Sequence, residues 1–431
     1  MPALRRPARA ARLPFALPLA FLMTVALLAC QDEDATLTPT PAPTDPTAEE
    51  TLAIVAERTA DLFGHPDGPG PAVTLLDDEQ LAEVIDDLLA DPEIAAALER
   101  DQAFYAILDL VPPGTDIAQL NRELLLTGLA GLYRPELDHL YVRMFGGFSA
   151  LEESTASHEY THYLQDLHYD LDRLFDAAAG NRDAELAVRA LVEGDAVYVQ
   201  NAYIAAHFNA LQLFGMSFGG LLAASEAPAV PLAFTRETTF VYLRGERWVD
   251  ELLWRGYSRE QLYADPPRTT EEVLHPALYT ADLPAPTVSL TIDPAGYPAA
   301  WIPAPPETIG ELMLSIWLEE HRAGSPASAA AAGWNGDALR IFLADGRSVA
   351  AVARIAWDTA PDAEEFIDVA VTALDRDGRY ATLHCDSCPI DAWEGPAGVL
   401  LLGNVDPTTT DVVLVIAPTL AEAEQLLLAI R

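Results

Sequence analysis

Apolar and polar residues alternate in different ways along this chain of 431 residues. Residues 13–29 form an apolar run, and residues 30–49 are rich in Pro, Thr and Asp without apolar periodicity. Over 50–283 apolar residues recur mostly three and four apart, which predicts helices. After a Pro-rich stretch, residues 307–431 mix alternating and helical patterns. We therefore predict an α+β protein, with a mainly helical domain at 50–283 and a smaller α+β module at 307–431.

Local signals place the elements of the first domain. Asp77 and Asp91 stand where N-caps belong, and Ser258 with Gln261 has the pattern of a capping box. The predicted elements, in chain order, are a helical stretch over 50–112, a hairpin with strands at 129–133 and 140–144, and long helices at about 154–171 and 181–206.

The pattern in the last third of the chain predicts a sheet with a few helices. Asp345-Gly346 between two apolar runs indicates a tight hairpin turn. The predicted strands are 339–343, 348–357, 380–385, 399–403 and 412–416, and the predicted helices are 362–374 and 420–430.

The N-terminus has the organisation of an export signal. Arginines precede the apolar run, which is too short for a comfortable membrane span and ends in Leu27-Leu28-Ala29-Cys30. This ending resembles the bacterial lipobox, in which the cysteine becomes the lipid-bearing N-terminus. Residues 1–29 would then be a lipoprotein signal peptide, and 30–49 a linker that extends from the membrane. The alternative is a signal peptide that merely contains a buried cysteine.

The charge of the chain excludes one class of partner. All 25 basic residues are arginine, and the formal net charge is −41. Four arginines and no acidic residue precede Cys30, so the remainder has 21 arginines against 66 acidic residues, a net charge of −45. Such a surface repels phosphate backbones, and we expect no nucleic-acid partner. The acidity serves solubility, or it favours cationic substrates.

The string His158-Glu159-Tyr160-Thr161-His162 carries the chemistry. On a helix, residues i and i+4 share a face, so both imidazoles can reach one metal ion. Glu159 is placed to reach a metal-bound water without being a ligand. The alternative is a helix with two solvated or core histidines.

A catalytic zinc site needs a third protein ligand and one open position. Glu193, in Glu193-Gly194-Asp195-Ala196, follows His162 after thirty intervening residues on a later predicted helix. Glu185 and Asp195 are the other carboxylates considered on that helix. Glu193 has an alternative role as the ion-pair partner of Arg189.

The two helices together resemble the gluzincin clan of zinc peptidases. That resemblance implies that His158, His162 and Glu193 bind one Zn²⁺ and that Glu159 is the general base. The strand pair before the zinc helix and Leu164-Gln165-Asp166 after it are also similar to those of uncharacterised bacterial lipoproteins and secreted proteins.

The chemistry expected at such a site is hydrolysis of a carbonyl. Zinc lowers the pKa of its bound water to about 7, and Glu159 accepts the proton. Asp166, one turn after His162, is a candidate to orient that imidazole. The candidates for the oxyanion donor are His275, Tyr242, Tyr198 and Tyr203.

Cys385 and Cys388 form a C-x-x-C sequence. In an exported protein a short-loop disulfide is the default for such a pair. A redox or metal-binding role is the alternative.

These patterns predict a lipid-anchored, extracytoplasmic zinc metallopeptidase that acts on peptides or proteins. Two alternatives stay open. The first is a catalytically silent lipoprotein of the same fold that serves as a binding or envelope-structural module. The second is a zinc hydrolase for non-peptide amides.

Overall fold

A computed structural model describes residues 47–65, 70–145, 148–213, 215–216, 230–279, 286–384 and 389–430. The chain is α+β, as predicted, with a three-stranded and a seven-stranded sheet in the described ranges. No helix within those ranges has both the length and the apolar character needed to cross a membrane.

The elements up to residue 207 include the predicted long helices. They are α1 (Ala48–Phe63), β1 (Ala72–Leu76), α2 (Asp78–Leu89), α3 (Pro92–Ile107), α4 (Ile117–Gly128), β2 (Gly131–Arg134), β3 (His139–Arg143), α5 (Ala150–Tyr169), α6 (Leu171–Ala178) and α7 (Arg182–His207).

The elements after residue 230 begin with a helical segment that contains one π-helical turn. They are α8 (Leu232–Thr239), the π turn Phe240–Arg244, α9 (Gly245–Trp254), α10 (Arg259–Ala264), α11 (Thr270–Leu274), β4 (Ile302–Pro303), α12 (Gly310–Glu320), α13 (Ala327–Ala331), β5 (Trp334–Ala344), β6 (Arg347–Trp357), α14 (Ala360–Arg376), β7 (Ala381–Thr382), β8 (Asp391–Gly395), β9 (Gly398–Gly403), β10 (Val412–Ala417) and α15 (Leu420–Ala429).

The described residues group into two compact units. The first takes its residues from Met1–Ile94, Asn121–His168 and Ala196–Pro228, and the second from Ala95–Leu120, Tyr169–Asp195 and Ala229–Arg431. The helices α5 and α7 each continue unbroken past a dividing point.

The small sheet lies in the first unit and has the strand order β1-β3-β2. The predicted hairpin is confirmed: β2 pairs antiparallel with β3, and Asp138 closes the turn with a positive φ of 50°. The helical prediction for 72–76 is wrong. This segment is β1, because it pairs in parallel with β3, a partner far along the chain that its local pattern does not contain.

The large sheet lies in the second unit, with the order β4-β5-β6-β10-β9-β8-β7. The predicted turn is confirmed, since Asp345 and Gly346 have φ values of 50° and 74°. The strand predicted at 380–385 is only Ala381–Thr382 in its described part, and β8 was not predicted. Apolar residues of β6, β9 and β10 pack with α15 into a core that includes Val352, Leu401 and Leu426.

Candidate metal centre

The helix α5 is polar in sequence and buried in the structure. Every residue from Ser154 to Asp166 is buried, including both histidines of the motif. The start of the helix is held by Glu152, whose carboxylate accepts the backbone N–H groups of Phe145 and Ser149, both at 2.9 Å. Buried polar groups are costly unless they are hydrogen-bonded, so the bonds of this helix fix its position.

Helices α1 and α7 hold α5 through side chains of the first unit. The hydroxyl of Thr59 donates to Ser157 Oγ at 2.9 Å, and Gln200 Nε2 donates to Ser154 Oγ at 2.9 Å. Tyr203, one of the oxyanion candidates, donates its hydroxyl to a carboxylate oxygen of Glu153 at 2.6 Å. Tyr203 thus anchors α5.

The two histidines of the motif point their Nε2 atoms at the same place. His158 Nε2 and His162 Nε2 are 3.1 Å apart, and the rings are nearly perpendicular. Two ligands that bind zinc tetrahedrally at about 2.0–2.1 Å stand about 3.3 Å apart. The imidazoles therefore have the spacing that one zinc ion requires.

Glu193 is the carboxylate that joins them. Among the residues the structure describes, His158, His162 and Glu193 form a group whose ligand atoms all lie within 4.8 Å of one another. Glu193 is 1% exposed. Two nitrogens and one carboxylate oxygen are donors that zinc accepts, with a fourth position left for water or substrate, so this group fits the metal.

The rival carboxylates of α7 have partners of their own. Glu185 bonds to Arg100 Nη2 at 2.6 Å and accepts the backbone N–H of Gly180 at 2.9 Å. Asp195 accepts from Arg259 Nε at 2.8 Å and from the hydroxyl of Tyr263 at 3.0 Å. Glu193 is favoured as the ligand because its carboxylate lies in one group with the two imidazoles.

The glycine after Glu193 allows a close helix crossing. A Cβ on Gly194 would lie 2.2 Å from the backbone carbon of Gly245, and a Cβ on Gly245 would lie 2.1 Å from the carbonyl oxygen of Ala190. The backbones of α7 and α9 touch here without side chains between them. This contact fixes the turn of α7 that carries Glu193.

Glu159 is held in place by the strand β2. Its Oε2 accepts the backbone N–H of Tyr133 in β2 at 2.9 Å, and its side chain is 8% exposed. A Cβ on Gly131 would lie 2.7 Å from Glu159 Cγ. The strand β2 thus packs directly on Glu159, and one carboxylate oxygen is fixed by the backbone.

The other oxyanion candidates have different environments. Tyr242 is buried in the π turn, a distortion that is frequent at functional sites. Tyr198 lies partly buried on α7. His275 Nε2 is 2.8 Å from a carboxylate oxygen of buried Glu311, and this hydrogen bond raises the pKa of the imidazole. The choice of donor among them stays open.

Sequence reasoning missed Gln165. Its Oε1 is 2.8 Å from His162 Nδ1, whereas the carboxylate of Asp166 accepts the hydroxyl of Tyr133 at 3.3 Å. Its position was the signal that could have identified it, since Gln165 follows His162 by three residues on the same helix. Cys30, Cys385 and Cys388 lie outside the described residues, so the lipidation and disulfide predictions stay predictions.

Comparison with known proteins gives a match to a family model. The model of a family described as a domain of unknown function, DUF8575, matches residues 303–427, which begin at β4 and end within α15. No curated protein and no solved structure matches the chain.

Proposed function

We propose that this protein is a zinc-dependent peptidase of the gluzincin type. The observation that carries the proposal is the group of His158, His162 and Glu193 on α5 and α7, with ligand atoms within 4.8 Å of one another. Glu159 lies beside this group on α5 with one oxygen fixed by a backbone N–H. A ligand set and a positioned carboxylate base are the minimum that metal-assisted hydrolysis requires.

When bound, a zinc ion supplies Lewis acidity, which polarises a carbonyl and lowers the pKa of water. The protein would hold it with His158, His162 and Glu193. Because these side chains are 3%, 9% and 1% exposed, bulk water would compete little for the ion.

Glu159 performs the proton transfers. Its Oε2 accepts the N–H of Tyr133, which orients the carboxylate, and the carboxylate accepts a proton from the attacking water. The protonated carboxyl then delivers that proton to the leaving amine, and the carboxylate is restored. The backbone bond keeps the side chain in one orientation during both transfers.

The proposed location and partners follow from the N-terminal sequence and the charge. Export and lipidation at Cys30 would place the enzyme at the outer face of a membrane, anchored by acyl chains. Peptides or proteins would be the substrates, and nucleic acids would be repelled by the net charge of −45 that remains after Cys30.

The test is digestion of a mixed peptide library by the purified, detergent-solubilised protein, with its zinc content measured in parallel. We expect about one zinc per chain and peptide cleavage that a chelator abolishes and added zinc restores. The variant Glu159→Gln keeps the size of the side chain but cannot accept the proton. It should retain zinc while cleavage falls by at least about 10²-fold.

Two results would contradict the proposal. Zinc without any peptide cleavage would favour a silent binding module, or an amide hydrolase with non-peptide substrates. Cleavage that is unchanged in Glu159→Gln would mean that the hydrolysis occurs elsewhere.

A further inference from the structure

Gln165 is a buried amide on the helix that carries both histidines. Its side chain is 0% exposed, and its Oε1 lies 2.8 Å from His162 Nδ1. The two residues are one turn apart on α5, so the contact is made within a single rigid element.

The chemistry of an amide oxygen decides the proton position on His162. A carbonyl oxygen only accepts hydrogen bonds, so Nδ1 of His162 must carry the ring proton. In a neutral imidazole the other nitrogen, Nε2, then has a free lone pair. That Nε2 is the atom 3.1 Å from His158 Nε2 and belongs to the group with Glu193.

We propose that Gln165 is a positioning residue for the metal ligand His162. It holds the imidazole in the Nδ1–H tautomer and fixes the ring plane, so that the lone pair of Nε2 faces the ion before the ion arrives. This inference rests on the proposed zinc site. It assigns to Gln165 the role that the sequence suggested for Asp166.

The variants separate the hydrogen bond from the packing. Gln165→Leu keeps about the same volume and removes the acceptor, while Gln165→Glu keeps an acceptor at the same place. The matched control is Gln102→Leu, because Gln102 on α3 is a partly buried amide whose Oε1 also accepts a hydrogen bond, from the backbone N–H of Ile117 at 2.9 Å. Circular dichroism and thermal melting establish that each variant folds.

Zinc affinity is measured by chelator competition. Loss of such an outer partner typically weakens metal binding about 10- to 100-fold, so we expect that loss in Gln165→Leu. Gln165→Glu should restore the affinity to within about threefold of the wild type, or exceed it, because a carboxylate is the stronger acceptor. Gln102→Leu should leave the affinity within about threefold of the wild type.

The tautomer of His162 is measured by ¹⁵N NMR of the histidine rings in the metal-free wild-type protein at about pH 8. The signals of His162 are assigned by comparison with the variant His162→Gln. The expected signal is Nδ1–H for His162, and an Nε2–H tautomer overturns the proposal even if Gln165→Leu does not fold. Equal zinc affinity of a folded Gln165→Leu and the wild type overturns it as well. A wild type that binds no zinc would instead refute the metal site itself.

Discussion

Gly131 lies where β2 meets the helix of the metal centre, and replacing it with alanine tests whether Glu159 is the base. The added Cβ would lie 2.6 Å from Thr155 Cγ2 and 2.7 Å from Glu159 Cγ. Carbon atoms in contact prefer about 3.5–4.0 Å, so the neighbours must move by about 1 Å. Gly131 does not have a positive φ, so the substitution adds no backbone strain and acts through sterics.

The displaced side chain is the one assigned to proton transfer. A misplacement of about 1 Å in a catalytic group costs about 10²-fold in rate, and overpacking costs about 1–3 kcal/mol of folding free energy. The nearest atoms belong to Thr155 and Glu159 and not to the metal ligands. We therefore expect Gly131→Ala to fold, to keep its zinc and to lose about 10²-fold in kcat on a peptide substrate.

The assay combines kcat, zinc content and thermal melting of the same preparation. Gly378→Ala is the matched control, since a Cβ there meets nothing within 4 Å and Gly378 has no positive φ. Adding Thr155→Ser to Gly131→Ala removes one of the two close contacts and should recover part of the activity. Full activity of Gly131→Ala would refute the assignment of Glu159 as the base. Loss of zinc from a folded variant would refute the expectation that the substitution displaces the base and leaves the metal ligands in place.

Three further predictions concern other parts of the chain. Glu193→Ala should lose most of the zinc measured after dialysis, whereas full occupancy would return the ligand role to Glu185 or Asp195. Cys30→Ala should release the protein from the membrane fraction, and retention there would contradict lipid anchoring. Burial raises the pKa of Asp337 to about 6, so its contribution to stability is present at low pH and is lost as the pH rises through 6. From its ordinary value of 3.8, the loss is about 3 kcal/mol. The difference in unfolding free energy between Asp337→Asn and the wild type should change by about that amount between about pH 3 and pH 7, and parallel curves would contradict it.

Elements with a local cause were predictable from the sequence. The hairpin of β2 and β3, the capping box at Ser258 and the turn at Asp345-Gly346 each depend on residues within a few positions of one another. The strand β1 depends instead on β3, where Ala72 pairs with His139. Pairing with a distant partner leaves no periodic signal within the strand itself, which is why β1 was misassigned. The partner of β8 is local, since Gly395 pairs with Gly398 of β9, but Asp391–Gly395 has only two adjacent buried residues and no alternating apolar pattern.

The candidate site likewise contains residues that the sequence predicts and residues that only the tertiary structure identifies. Helical spacing alone put His158 and His162 on one face, whereas the choice of Glu193 over Glu185 and Asp195 needed tertiary information. Arg100 from α3 engages Glu185, and Arg259 from α10 engages Asp195, and both arginines are far from α7 in sequence. The bond from Tyr133 N–H to Glu159 likewise joins a strand and a helix, and no sequence pattern predicts a backbone contact of that kind.

The composition of α5 gives a physical reason to place chemistry on this helix. An ordinary buried helix would present apolar residues on all sides, because unpaired polar groups are expensive to bury. Here Glu153, Ser154 and Ser157 bond to side chains of α1 and α7, and these directional bonds specify one position for the helix. Apolar packing tolerates sliding and rotation more readily than such a set of hydrogen bonds does. A helix that must hold two imidazoles and a carboxylate to within about 0.5 Å needs that fixed position. The polar residues that carry no chemistry are therefore part of the site, since they hold the residues that do.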